Sequence, residues 1–260
     1  MAVGLAQTCD GDDTMRLLRT LVISDVHSNL DALDAVLADA ETRDAGGRVF
    51  CLGDIVGYNA QPREVIARLR ELGAICVAGN HDLAAAGLIG VEEFNAVAAE
   101  AALWSGEQLG DDERAYLAGL PLTQVVDDAT LVHGSLRDPV WEYLLDRFAA
   151  EAQFALQQTR VGFVGHSHIP FAAVDTPGGG TPRPMLDGTR LALSRDRAIV
   201  NPGSVGQPRD GDPRASYAVY DDGTQTITWH RVAYDVAAAQ RRVREAGLPE
   251  VLALRLARGR

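Results

Sequence analysis

The sequence predicts an α/β protein built as a mixed-sheet sandwich, and three observations carry that expectation. Short apolar runs rich in Val and Ile begin near Leu17, each closing on Gly or a polar cluster, as buried strands do. Segments with helical spacing separate the early runs, whereas the later ones follow one another directly. Alternation followed by consecutive strands favours a mixed sheet over a purely parallel one.

In chain order, residues 1–15 lack periodicity and are expected to be a flexible N-terminal tail, and Met15 is a second candidate start. The remainder, 16–260, is expected to form a single domain with a helical insert near 83–118. The first strand is Thr20–Ser24. A helix from about Asn29 to Thr42 follows, with Leu30, Leu33, Val36, Leu37 and Ala40 on one face and a Ser28/Asp31 capping box. Arg48–Leu52 reads as the second strand. Pro62 opens a helix that turns Val65, Ile66, Leu69 and Leu72 inward, and Ala74–Ala78 is the third strand. Residues 83–118 are alanine-rich with helical spacing and should give two or three helices. Later strands are expected at Thr130–Val132, Val161–Val164, Ala198–Val200, Ala215–Tyr220 and Thr226–Val232. The stretch 175–187 should be a hairpin or surface loop, and Pro249–Arg260 a terminal helix carrying Leu252, Leu254 and Leu256.

Composition narrows the function classes. Hydrophobic residues are 47% and charged residues 23%, enough apolar material for a core. A formal charge of −12 opposes binding to a nucleic acid polymer or an anionic membrane, so a small phosphorylated partner requires a local reversal of sign, which bound metal ions supply. The odd set Cys9, Cys51 and Cys76 has no CxxC spacing, which argues against disulfides and thiolate zinc and fits a reducing cytoplasm. No apolar run suits a membrane span or a signal peptide, so a soluble, unexported chain is expected. Oligomeric state is not legible.

The chemistry is marked by position. Five strand-like runs each end in metal-ligand residue types: Asp25-Val-His27, Gly53-Asp54, Gly79-Asn80-His81, His133-Gly and Gly165-His166-Ser-His168. Ligands of open α/β sheets sit beyond the carboxyl ends of strands, so these tips can converge. Each piece alone is weak, since a lone His at a strand end is commonly a hydrogen-bonded structural residue. Five of only six histidines fall in these turns, however, and independent structural placements would rarely do that. His230, beside Trp229 in an alternating run, reads as an ordinary sheet residue.

Mixed carboxylate and imidazole donors suit Mn²⁺, Fe²⁺ or Zn²⁺ better than Mg²⁺ or Ca²⁺. Seven ligand side chains are too many for one ion. Two divalent ions against Asp25 and Asp54 would leave the filled site positive, and so attractive to an anionic ester.

In their order, these blocks resemble the calcineurin-like metallophosphoesterase superfamily, over about Leu17 to Tyr234. The segments Gly53–Tyr58 and Asn201–Asp210 further resemble its bacterial branch of predicted phosphodiesterases. The resemblance implies a four-layer sandwich of two mixed β-sheets flanked by helices and a pair of divalent ions. It places Asp25, His27 and His168 on one ion, Asn80, His133 and His166 on the other, and Asp54 as the bridge. It also implies attack on phosphorus by a metal-bridging hydroxide. His81 would stabilise the transition state or protonate the leaving oxygen, with Asp82 a candidate to orient it. Asn29 and Arg209 are candidate substrate contacts, although pairing of Arg209 with Asp210 or Asp212 is an equal expectation. Phe94, Trp104, Trp141 and Tyr143 are candidates to shape specificity, with core packing the simpler reading. Cys51 and Cys76 read as buried small hydrophobes.

A small, nucleotide-like phosphodiester is the leading substrate class. A phosphomonoesterase or phosphoprotein phosphatase is the nearest alternative. A non-catalytic scaffold of the same fold and a one-metal hydrolase or oxygenase are more distant ones.

Overall fold

The structure is a computed structural model and describes residues 19–177, 180–193 and 195–260. The expectations for residues 1–15, the alternative start at Met15 and the environment of Cys9 lie outside the described residues.

The first sheet grows from the strand–helix alternation at the start of the chain. Strand β1 (Arg19–Ile23) leads into helix α1 (Leu30–Glu41), β2 (Arg48–Cys51), α2 (Pro62–Glu71) and the two-residue β3 (Ile75–Cys76). Parallel pairing of β1 with β2 and of β2 with β3 follows from these crossovers. The third strand is shorter than its apolar run: Val77 N still donates to Cys51 O, but Ala78, also buried, has turned away from β2 and donates to Pro121 O. Helix α1 is capped one position later than expected. Asn29 Oδ1 accepts from Ala32 N at 3.1 Å, whereas Ser28 sits at φ 54° with its hydroxyl unpaired.

Helices α3 (Asn80–Ala85), α4 (Ala96–Gln108) and α5 (Asp111–Ala118) fill the alanine-rich region. The chain then builds a second sheet from β4 (Thr123–Val126), β5 (Ala129–Val132), β6 (Val161–Phe163), β7 (Phe171–Val174), β8 (Arg183–Pro184) and β10 (Ala198–Asn201). Helix α6 (Arg147–Leu156) interrupts it, and β9 (Arg190–Ala192) joins the first sheet. That sheet is completed by β11 (Ala215–Asp221) and β12 (Thr226–Val232), after which α7 (Val236–Glu245) and α8 (Glu250–Leu256) close the chain. The spatial orders are β3-β2-β1-β11-β12-β9 and β4-β5-β6-β10-β7-β8. The 175–187 region contributes β8, which pairs antiparallel with the start of β7.

Side-chain alternation assigns the layers. On β1, Leu21 and Ile23 join the core under α1 and α2, while Val22 faces the other sheet with Phe50, Phe163, Val200, Ala218 and Trp229. Ile199 and Ala173 point outward beneath Ala150 and Phe154 of α6. The result is helix, sheet, sheet, helix: four layers around two mixed sheets. Each large side chain removed from water contributes about 1.5–3 kcal/mol, and the inter-sheet core also satisfies its polar atoms. Trp229 Nε1 donates to Asn201 O at 2.8 Å, tying the two sheets together. Cys51 and Cys76 are buried free thiols, and His230 lies in β12 opposite Tyr217. Within α8, Leu252 and Leu256 are buried whereas Leu254 is 39% exposed.

Candidate metal centre

The tips of β1, β2, β3, β5 and β6 lie along the seam between the sheets, and the loops after them continue the strand pairing. Asp25 N donates to Gly53 O, His27 N to Asp54 O and Ser28 N to Ile55 O, so the loops after β1 and β2 run side by side. The loop after β3 approaches closely because Gly79 has no side chain: a Cβ there would lie 2.2 Å from Asp54 Oδ1. Gly165 N donates to His133 O and brings in the loop after β6. Asp25, His27, Asp54, His166 and His168 all have φ between 47° and 66°, a left-handed conformation costing roughly 1–2 kcal/mol per residue. Such strain persists where surrounding contacts over-determine it, typically at functional sites.

All seven ligand candidates converge, and all are buried. Asp25, His27, Asp54 and His168 form one set and Asp54, His133 and His166 another, with donor atoms in each within 4.8 Å of one another. Asn80 Oδ1 joins the second set, 3.2 Å from His133 Nε2. Asp54 belongs to both: its Oδ2 is 3.5 Å from His27 Nε2 and 3.4 Å from His133 Nε2.

Two observations test whether this donor set fits cations. The first is tautomeric. His27, His133 and His168 direct Nδ1 at the carbonyls of Val56, Leu52 and Gln207 (2.9, 2.8 and 2.6 Å), and His166 directs Nε2 at Trp141 O (3.1 Å). A carbonyl only accepts, so each outer nitrogen holds the proton and each inner nitrogen of a neutral ring presents a lone pair. Between His27 and His168 those lone pairs meet at 3.1 Å, a repulsive contact that a shared cation turns attractive, whereas His133 Nε2 and His166 Nδ1, also 3.1 Å apart, are joined by a proton that a cation would replace. The second is that both oxygens of Asp25 are buried without a hydrogen-bond donor. The residues fit divalent ions.

Charge follows the same logic. Burial pushes Asp25 up to about 7, with the neighbouring Asp54 adding to the effect. Asp54 itself is held well below the usual carboxylate range, because His133, His81 and His27 outweigh its burial. Burial alone would lower His133, but the Asp54 carboxylate lifts it to about 9. Burial keeps His166 at about 3 and His81 at about 4, so both are neutral at pH 7.

Over the cluster lies a cleft of about 110 Å³ lined by Tyr58, His81, Glu93, Phe94, Trp141, Tyr143, His168 and Arg209 among others. His81 is wedged against Gly57, where a Cβ would lie 2.3 Å from its Nδ1, and is flanked by the rings of Tyr58, His27 and Phe94. Its backbone N–H donates to Asp54 Oδ1. Asp82 does not orient it. Both Asp82 oxygens are taken by backbone donors, Oδ1 by Ile55 N and Val56 N and Oδ2 by Gly79 N, while His81 Nδ1 has no partner. Asp82 instead locks the loop after β2 onto the start of α3.

The other candidates divide in the same way. Asn29 is committed to the fold: it caps α1, and its Nδ2 donates to Gly206 O and Tyr234 Oη. Arg209 lines the cleft, where a guanidinium N–H donates to Tyr58 Oη and Gln207 Oε1 and Nε has no partner. It is not paired with the acids beside it, since Asp210 binds Arg231 and Asp212 binds Arg214. Phe94, Trp141 and Tyr143 reach the cleft, Tyr143 lying flat on His166 with centroids 3.9 Å apart; Trp104 packs with α7 and α8 instead.

Sequence reasoning missed the work of residues 201–207. Asn201 Nδ2 donates to Gly165 O and Ser167 Oγ, Ser204 Oγ to Asp25 O, and Gly206 N to Asp25 O, while Gln207 O holds His168. This segment buttresses two ligand loops at once. Its signal was the pair Gly203 and Gly206 among Asn and Ser directly after a strand.

The comparisons with known proteins agree with this geometry. Residues 18–225 match the model of the calcineurin-like phosphoesterase superfamily domain. An uncharacterised protein of Methanocaldococcus jannaschii is 38% identical over 247 residues, covering 92% of this chain and 97% of its own. The crystal structure of a metallophosphoesterase from Sphaerobacter thermophilus is 47% identical, with a TM-score of 0.84 over 94% of this chain and 99% of that one. A hypothetical protein from Pyrococcus horikoshii shares the fold at 23% identity and a TM-score of 0.77, over 94% and 99% of the two chains. With four-fifths of its length matched and its candidate ligand residues gathered at one seam, the chain belongs to the calcineurin-like phosphoesterase superfamily.

Proposed function

We propose that the protein hydrolyses phosphoesters at a centre of two divalent ions, Mn²⁺, Fe²⁺ or Zn²⁺, and that small phosphodiesters are its preferred substrates. The observation that carries this reading is the pair of donor sets sharing one carboxylate, Asp54. Such ions supply Lewis acidity and lower the pKa of a coordinated water.

The chain's own groups do the rest. Asp25, His27 and His168 would hold one ion, Asn80, His133 and His166 the other, and Asp54 both. Arg209 presents a guanidinium to a phosphoryl oxygen, in a position fixed by Tyr58 and Gln207. His81, neutral and confined, donates a hydrogen bond to the phosphoryl group or the leaving oxygen. The aromatic rim excludes water from the reacting bond. Hydrolysis consumes one water, breaks one P–O bond, forms another, and leaves the released alcohol with a proton.

Diesters are favoured because, among the described residues, Arg209 is the one Lys or Arg lining the cleft, with the Glu93 carboxylate also present. A single guanidinium suits a singly charged diester better than a dianionic monoester. With Mn²⁺ supplied, bis-p-nitrophenyl phosphate should turn over faster than p-nitrophenyl phosphate. Clearly faster monoester turnover would replace this reading with a phosphomonoesterase, and inactivity on both by fully loaded protein would favour a scaffold.

A further inference from the structure

Arg209 sits in a short loop between the candidate ligand His168 and residues 255–260. On one side its backbone N–H donates to His168 O at 3.3 Å; on the other, Gly211 N donates to Gly259 O at 2.9 Å. Gly211 and Gly259 have φ of 88° and 62°, left-handed values that glycine adopts without strain. Gly259 is buried, and a Cβ there would lie 2.6 Å from Asp212 C and O, so the two backbones meet with no room for a side chain.

The same helix backs the guanidinium. An N–H of that group donates to Tyr58 Oη at 3.2 Å, and its carbon lies over the Tyr58 ring, 5.7 Å from the centroid. Tyr58 is buried in a cluster with Leu252 and Leu256 of α8. Helix α8 and the turn after it therefore reach Arg209 twice, through the backbone of its loop and through the ring beneath its side chain. Ion pairs of Asp210 with Arg231 and of Asp212 with Arg214 hold the loop to β12 and to itself. The metal side is braced separately: Gln207, whose carbonyl holds His168, donates its own N–H to Ser204 Oγ at 2.8 Å.

Building on the reading of Arg209 given above, we infer that α8 and Gly259 are a positioning element for the substrate. They set where Arg209 presents its guanidinium to a phosphoryl oxygen, and they act on anion binding without acting on the ions. A long side chain held in its binding position beforehand loses less freedom when the ligand arrives, and affinity rises accordingly.

The test measures inorganic phosphate binding to the Mn²⁺-loaded full chain by calorimetry, and bound Mn²⁺ by mass spectrometry. Wild type, Gly259→Ala, Arg209→Gln and the double variant are compared. Gly259→Ala should weaken phosphate binding roughly two- to tenfold, the effect of one hydrogen bond, at wild-type Mn²⁺ content. Because Gly259 acts through Arg209, the double variant should bind phosphate no more weakly than Arg209→Gln alone. Should Gly259→Ala fold poorly, deletion of residues 258–260 removes the contact without a clash. That deletion should weaken binding beyond the Arg258→Gln, Arg260→Gln variant, which controls for lost charge. Unchanged phosphate affinity, or losses that multiply in the double variant, overturns the inference and leaves the hydrolase reading standing. If Arg209→Gln binds phosphate as tightly as wild type, the assignment of Arg209 to the substrate has failed and the inference falls with it. Hydrolysis enters none of these readouts, so inactivity on both nitrophenyl esters would end the hydrolase reading alone.

Discussion

Replacing Asp82 by Asn separates a structural carboxylate from a catalytic one. Asp82 accepts from Ile55 N at 2.8 Å, Val56 N at 3.1 Å and Gly79 N at 3.0 Å, and it is fully buried. Burial, reinforced by Asp54, pushes it up to about 7 against the pull of those donors, so at pH 8 it is mostly ionised. An amide can keep its oxygen on Ile55 and Val56 only by turning its NH₂ against Gly79 N–H. That strands a buried donor, about 1–3 kcal/mol, and turns two charge-assisted bonds into neutral ones, about 1 kcal/mol each. The burial and Asp54 repulsion that an amide escapes offset part of this, so the expected net loss is about 1–3 kcal/mol, which lowers Tm by roughly 2–12 °C in a chain of this size. Calorimetry of the Mn²⁺-loaded variant at pH 8 reads the shift, and kcat below the transition should change little. His81→Asn should do the opposite, lowering kcat about 10²–10⁴-fold while Tm stays near wild type. An Asp82→Asn protein with unchanged Tm, a kcat as low as that of His81→Asn and a displaced pH–rate profile would refute the reasoning.

Three further outcomes are expected. Gly206→Ala puts a Cβ 1.9 Å from Val26 O, in the loop carrying Asp25 and His27, so bound Mn²⁺ should fall and stability drop by about 1–3 kcal/mol; wild-type metal content by mass spectrometry would count against the buttress. Arg209→Gln should lower kcat/KM about tenfold and weaken inhibition by inorganic phosphate at full metal content; an unchanged phosphate inhibition constant would remove Arg209 from the substrate site. Metal-free protein should lose stability as pH rises. The raised pKa of His133 means its contribution is complete below about 6.5 and is lost as pH passes through about 9. Mn²⁺ displaces that proton, so melting curves with the metal present should not decline over this window.

Much of this was legible because strands announce their ends. Buried strands read as Val and Ile runs, and the residues at which those runs stop, Asp25, Asp54, Asn80, His133 and His166, are forced by topology towards one seam. What escaped notice was whatever the backbone decides. Nothing in the sequence distinguishes Asp82 as a partner of His81 from Asp82 as an acceptor of three N–H groups, since both roles ask for an acid beside the histidine. Ser28 and Asn29 are equally good caps in sequence, and the left-handed turn at Ser28 is what passes the role to Asn29. Strand β4 alternates between exposed and half-buried residues and lacks an apolar run, and β9 is similarly exposed. For Phe94, Trp104, Trp141 and Tyr143 both a specificity role and core packing stay open in the sequence, because hydrophobicity alone cannot tell a rim from an interior; three line the cleft and Trp104 packs in a core.

The four carbonyls that hold the imidazoles have a consequence for engineering. Val56, Leu52, Gln207 and Trp141 contribute main-chain oxygen, so no point substitution at those positions deletes the acceptor. Directed evolution aimed at a different ion would therefore have to exchange ligands or re-route a whole loop. Libraries confined to the neighbours of the histidines should yield variants that alter solubility or turnover before they alter metal preference.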